Sequence, residues 1–258
     1  MSTLQLPPRY RLYPAYCFRA SPTYDTWVKI TAADVQALRL EPDFPGQRIY
    51  FHLNHPIRYV RLVGAVVAIE DINTKYTVLT IDDGSGSTID LTIIRLTPDT
   101  YNPVESPSNT VVSNLNVISA PGVFHVTIDD SRIVDIGTVI KAKGTLSEFR
   151  GRKQVDLKRA WVVSTTNDEV KAWAETAKFK ADVLNKAWRI TSAEHKKITR
   201  DMKGERQREK EYERKKEAYD AKKREKRKAR EEYMAAREAR YEARRLKEER
   251  IMNQGALI

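Results

Sequence analysis

Five strand-like segments between residues 56 and 164, a glycine inside the first, and a long proline-rich connection between the third and fourth predict a mainly β chain. That count and order suit an OB-fold, a five-stranded Greek-key barrel, followed by a C-terminal α-helix and a long charged helical extension. A split sandwich shares the same periodicities. The expected divisions are an N-terminal arm over 1–44, an OB-fold domain over 45–190 whose last helix spans 168–190, and a basic, charge-rich helical extension over 191–258.

The first strand, Val60 to Ile69, is rich in β-branched residues and carries Gly64, as a small barrel needs where one strand serves both sides. The second, Lys75 to Ile81, puts Tyr76, Val78 and Thr80 on one face. Asp82-Asp83-Gly84-Ser85-Gly86-Ser87 then reads as a tight turn, and Thr88 to Leu96 completes a meander. Pro98, Pro103, Pro107 and Pro121 mark the long connection, with short structure of its own around Val123 to Ile128. Strands resume at Val139 to Leu146 and Gln154 to Val163, joined by a turn over Glu148 to Arg152.

Beyond the barrel, Asp168 is placed to cap a helix starting near Glu169. Val170, Ala174, Ala177, Ala181, Leu184 and Trp188 follow one another at helical spacing, with Trp173 alongside. Such a stripe either packs on its own barrel or docks a partner helix, since small residues allow close approach and Trp suits an interface anchor.

Net charge is +11, and it is unevenly placed. Residues 1–195 hold 23 Lys/Arg against 21 Asp/Glu, whereas residues 196–258 hold 23 against 14. The span 201–250 has 34 charged residues, no proline and one glycine, which reads as a helix roughly 75 Å long. Glu211–Lys215, Glu213–Lys216 and Asp220–Arg224 are spaced to pair along it. Tyr212, Tyr219 and Tyr233 are too sparse for a coiled-coil seam. A solvated helix, a basic rod touching nucleic acid, and a nuclear localisation patch at Lys222 to Lys228 all fit.

One cysteine, Cys17, excludes a disulfide framework, and the expectation is a basic intracellular chain without a secretory signal. The most apolar run, Tyr59 to Ile69, is broken by Arg61, so no membrane partner is expected. No GxxxxGK[ST], GxGxxG or GxSxG motif occurs, and no nucleophile has a recognisable base beside it, which points away from an enzyme. His52 and His55 read as structural, and Asp82-Asp83 and Asp129-Asp130 as turn-capping carboxylates, so neither a metal nor a cofactor is expected.

The faces and loops of an OB-fold bind oligonucleotides, and the hypothesis is a single strand of DNA, with aromatics stacking on bases and cations following phosphates. The candidates are Tyr76, Arg95, Lys141, Lys143, Phe149, Arg150, Arg152 and Lys153, of which Phe149 to Lys153 join one ring to three cations. Strand-edge Lys and Arg that only keep a barrel soluble are the plain alternative.

Phe51 to Gly64, with its P-I-x-x-V-x-[LV]-x-G pattern, then the Tyr76 to Ile81 strand and Asp82-Asp83-Gly84-Ser85-Gly86, resembles the N-terminal OB domain of the Stn subunit of the CST telomere-capping complex. That family is similar to the middle subunit of replication protein A. The likeness runs in order from about residue 45 to 190, and Tyr13, Tyr16, Tyr24 and Trp27 look like the arm of fungal forms. It implies a nuclear protein at the telomeric region of the chromosome. It also implies a small single-OB Ten-type partner docked on Val170, Trp173, Ala174, Ala177, Ala181, Leu184 and Trp188, with the G-rich 3′ overhang as the bound DNA. The large CST subunit and DNA polymerase α-primase are the wider partners so implied. Residues 196–258 depart from the family, being a charged helix where several relatives carry winged-helix modules. Two other readings remain: a general replication protein A-like single-strand binder, and a protein-docking scaffold that never touches DNA.

Overall fold

The computed structural model describes residues 10–96, 108–121, 123–129 and 132–255. Pro98, Pro103, Pro107 and Asp130 of the sequence reading lie outside them. Two compact units result, residues 1–195 and Lys196–Ile258.

In the first unit, β4 (Tyr59–Asn73), β5 (Tyr76–Asp82), β6 (Thr88–Ile94), β10 (Val139–Phe149) and β11 (Arg152–Val162) close a five-stranded barrel. The order runs β4-β10-β11-β6-β5 and returns to β4, with β6 and β11 parallel and the other neighbours antiparallel. This is OB-fold connectivity. Closure depends on β4, whose first half pairs with β10 and whose second half pairs with β5, the exchange falling at Ala65. Gly64 stands one residue earlier. A Cβ there would press on the Asp82 carbonyl, so the bend requires glycine. Gly144 serves the same purpose opposite the bulge in β11, where a Cβ would meet the Asp156 carbonyl and Val155.

Alternation fills the barrel. Thr77, Leu79 and Ile81 point inward from β5, leaving Tyr76, Val78 and Thr80 on the outer face as the spacing predicts. Leu62, Val66, Leu79, Ile89, Leu91, Ile140, Leu146 and Val155 are all essentially solvent-free. Each such side chain contributes about 1.5–3 kcal/mol through burial.

The long connection holds a small antiparallel sheet of β7 (Leu115–Ala120), β8 (Val123–Ile128) and β9 (Arg132–Val134), which includes the structure expected around Val123 to Ile128. Residues of the arm pack with the barrel. Within it β1 (Val28–Lys29) runs parallel to the start of β4, and α1 (Ala32–Ala37) comes next, capped by the Thr31 side chain. The hairpin of β2 (Tyr50–His52) and β3 (His55–Ile57) leads into β4, and Phe51 joins Phe18 and Ile49 in a second apolar cluster.

Asp82 and Asp83 do cap their turn, accepting from the Gly84 and Ser85 amides, and Asp83 also accepts from Ala32 at the start of α1. His55 is buried with its Nε2 against the Lys186 carbonyl at 2.7 Å, and burial pulls it below the usual histidine range.

After β11, α2 (Thr166–Phe179) opens with Thr165 as its cap rather than Asp168. The Asp168 amide donates to the Thr165 hydroxyl, and that hydroxyl donates back to the Asp168 carboxylate, which fixes the cap's side chain. A π-helical turn, Lys180–Leu184, ends this helix.

In the second unit the charged segment is helical, within α3 (Ser192–Gly255). Its ion pairs among the described residues are Arg227–Glu231, Arg244–Glu248 and Arg245–Glu242, and not the three read from spacing. Tyr212, Tyr219 and Tyr233 are each about two-thirds exposed, so no apolar seam forms. No helix of the described residues is long and apolar enough to cross a membrane.

Candidate nucleic-acid interface

The β10–β11 hairpin turns in only two residues, Arg150 and Gly151, both with positive φ (51° and 78°). This is the tight connection that matches strand twist. The strands therefore run closer to the tip than the Glu148-to-Arg152 turn expected from sequence. Phe149 is 59% exposed at the tip, and the Arg150 guanidinium lies 5.1 Å from its ring centre. Arg152 is exposed opposite Phe149.

Lys153, the next residue, is engaged elsewhere. Its ammonium donates to the Gln36 carbonyl at 2.9 Å, and its backbone exchanges two hydrogen bonds with the Gln36 side chain. That contact ties α1 to β11 and takes Lys153 out of the free cations.

Arg95 is likewise a structural residue. It is ion-paired to Asp71, donates to the Thr77 hydroxyl at 2.9 Å, and keeps a side chain only 10% exposed. Tyr76 stays half-buried on the meander, with Lys75 as its nearest cation, 5.7 Å from the ring centre. Around it, Glu70 of β4 stands opposite Val78, and Asp90 accepts from Thr80 at 2.9 Å. Carboxylates there oppose a phosphate chain.

Lys141 and Lys143 alternate outward along β10, and β11 places Trp161 and Arg159 directly across from them. The Trp161 ring centre lies 5.1 Å from Lys141, 5.4 Å from Lys143 and 5.1 Å from Arg159. Lys143 also lies 5.4 Å from the Trp27 ring, which meets Tyr59 edge-on at 5.2 Å. Arg58 continues the series between Tyr59 and Tyr24, at 5.2 and 5.0 Å.

Burial first, then the charges of Lys141, Arg61 and Arg159, pull the Lys143 ammonium below the usual lysine range. Sequence reasoning found the two lysines but missed Trp27, Trp161 and Arg159. Trp161 and Arg159 lie on the strand that pairs with the lysines' own, and that pairing was the available signal.

The partner-facing candidates divide at the π turn. Val170 and Trp173 are about half exposed, Ala174 and Ala177 line up with them on the outer face of α2, and Ala181, also exposed, falls in the π turn beyond it. The inner face holds Ala172 and sets Glu175 on Arg61 at 2.6 Å and on Lys29 at 3.0 Å. Those two cations hold the Glu175 carboxyl below its usual range.

The wider π turn breaks the regular helical rotation, so Leu184 lies fully buried in the barrel core instead of on the stripe. Trp188 is half-buried, edge-on to Tyr13 at 4.9 Å, with its backbone clamped by the Asn54 amide. Beside the exposed stripe, a groove of about 310 Å³ is floored by Ile30 and Val63 and flanked by Trp173 and Ala177.

Among the described residues, no three His, Cys, Asp or Glu converge as metal ligands would.

Residues 13–97 match the family described as telomere regulation protein Stn1. A mouse CST complex subunit STN1 is 23% identical over 148 residues, covering 57% of this chain and 38% of that one. The fission yeast protein stn1 is 24% identical over 162 residues, covering 63% and 41%. The chain thus spans about two-fifths of the length of these relatives. The chain also superposes on a yeast protein from a structure of Stn1 and Ten1, with a TM-score of 0.51 at 16% identity, covering 74% of this chain and 91% of that one. The superposition agrees with the OB barrel traced above, and the matched segment, which holds β1 to β6 and about a third of the chain, is similar to the family of Stn1 telomere regulation proteins.

Proposed function

We propose that this chain is a single-stranded-DNA-binding subunit of a CST-type telomere-capping complex, acting in the nucleus at chromosome ends with a small Ten-type OB partner. The observation that carries the reading is the exposed apolar face of Val170, Trp173, Ala174 and Ala177 on α2, continued by Ala181 in the π turn, on an OB barrel that contains a segment similar to the Stn1 family.

Alanines let a partner helix approach closely, and Trp173 supplies a large anchor next to a groove open to a partner side chain. The inner face of the same helix is already committed through Glu175, so the stripe is left free for a second protein. The yeast relative was solved together with Ten1, which names the partner class to try. Cations beside exposed or half-exposed rings supply the DNA side, with stacking worth about 1–3 kcal/mol per base. The large CST subunit and DNA polymerase α-primase would be reached through the assembled complex.

A second reading, a docking module without DNA contact, is favoured by the carboxylates at the β5–β6 face.

The test is co-purification with a small Ten-type partner, then anisotropy of a labelled G-rich single strand across a salt series with mixed-sequence competitor. A stable heterodimer with salt-steep, G-preferring binding is expected. A heterodimer that ignores DNA leaves the docking module, equal binding of both sequences leaves a general single-strand binder, and no heterodimer sinks the partner assignment.

A further inference from the structure

We propose that single-stranded nucleic acid runs along the outward face of the β10–β11 ribbon, with phosphates on Lys141, Lys143 and Arg159 and bases against Trp161 and Phe149, rather than across the β5–β6 face. This deepens, and rests on, the single-strand reading above.

Alternation puts Lys141, Lys143, Thr145, Ser147 and Phe149 on one side of β10. Eight residues separate Lys141 from Phe149, about 27 Å at the rise of an antiparallel strand. Rings stand at both ends of that row, and a base has a face to stack on at each.

None of Lys141, Lys143 and Arg159 meets a carboxylate within ion-pair distance among the described residues. Each instead lies 5.1 to 5.4 Å from an indole ring centre. A base that takes one cation's place over Trp161 releases that charge toward the adjoining phosphate, so stacking and charge pairing are gained together. Asp156, across from Thr145 of the row, accepts from Ser147 at 2.7 Å and faces Arg48 at 3.8 Å. The β5–β6 face, by contrast, offers Asp90, with Glu70 of β4 beside Val78.

The experiment uses the full chain, alone and with its small OB partner, and a fluorescein-labelled oligothymidylate titrated at several salt concentrations. Lys141→Gln/Lys143→Gln is expected to bind at least about tenfold more weakly, with a salt slope smaller by roughly 1.4, two single-strand phosphate contacts at about 0.7 each. Trp161→Leu is expected to lose about tenfold with an unchanged slope. Thr80→Ala, on β5, is expected to bind like the parent. Thermal melts show whether each variant is folded.

If the folded lysine and tryptophan variants bind like the parent while Thr80→Ala weakens, the path lies over β5–β6. The proposal then fails and the single-strand reading stands. If the parent binds nothing in either state, both fail. If polyglutamate displaces the oligonucleotide at matching charge concentration, the face docks acidic protein and the nucleic-acid assignment is overturned.

Discussion

Lys143 is held between two indoles, its Nζ 5.4 Å from the ring centre of Trp27 and 5.4 Å from that of Trp161. One ring precedes β1 and the other lies on β11, so the arm and the last barrel strand meet over a single ammonium. Burial, then Lys141, Arg61 and Arg159, leave this group binding its proton less tightly in the fold than in the unfolded chain. Stability therefore rises with pH across the window from its depressed folded value up to the ordinary lysine value. Lys143→Met is expected to flatten that rise. Urea midpoints measured from neutral pH into the lysine range check it, and parallel profiles for variant and parent would count against the crowding.

Gly64→Ala is expected to cost about 1–3 kcal/mol or more, because the added methyl meets the Asp82 backbone, which has no rotamer to yield. The loss should appear in urea unfolding of the chain alone. A variant as stable as the parent would mean that β4 can bend elsewhere as it passes from β10 to β5.

Legibility in the sequence followed contact range. The β5 and β6 strands and the Gly64 bend are written in local alternation, and the spacing reads them correctly. Arg95 looked like a free cation because nothing near it in sequence announces Asp71, which lies 24 positions back across two strands. Trp27 was read only as part of the arm for the same reason, its partner Lys143 being supplied by the barrel's fourth strand. Leu184 was misplaced by a different cause. A regular 3.6-residue helix carries it onto the stripe with Ala181, but the π turn over Lys180–Leu184 turns it inward. Asp168 was read as the cap although Thr165, three residues earlier, is the residue whose side chain accepts the helix amide, with Asp168 holding its hydroxyl.

Glu175→Gln should loosen α2 from β1 and β4. Arg61 is 10% exposed at its side chain and loses a carboxylate at 2.6 Å, but Glu175 itself is half exposed, so solvent limits the loss to about 1 kcal/mol at neutral pH. The sign with pH is set by the depressed carboxyl. Its contribution is present above the ordinary carboxylate range and disappears as pH falls through the folded value. The gap between variant and parent is expected to close in acid, and a gap that persists there would locate the effect in packing.

Trp173 and Leu184 were grouped by spacing, and the structure separates them by burial, 46% against 0% exposed. Leu184→Ala is expected to destabilise the chain alone by about 2–5 kcal/mol, as a large-to-small change in a packed core. Trp173→Ala is expected to shift the unfolding midpoint little, since a half-exposed ring leaves no enclosed cavity. With the small OB partner the order reverses: Trp173→Ala should weaken the heterodimer at least tenfold, about 1.4 kcal/mol, as loss of an interface anchor does. Leu184→Ala, once folded, should still bind, because it acts through the barrel and not at the contact. Calorimetric titration of each folded variant with the partner gives the comparison. Equal losses of binding would mean that the partner grips past the π turn, and no loss from Trp173→Ala would move the docking face off α2.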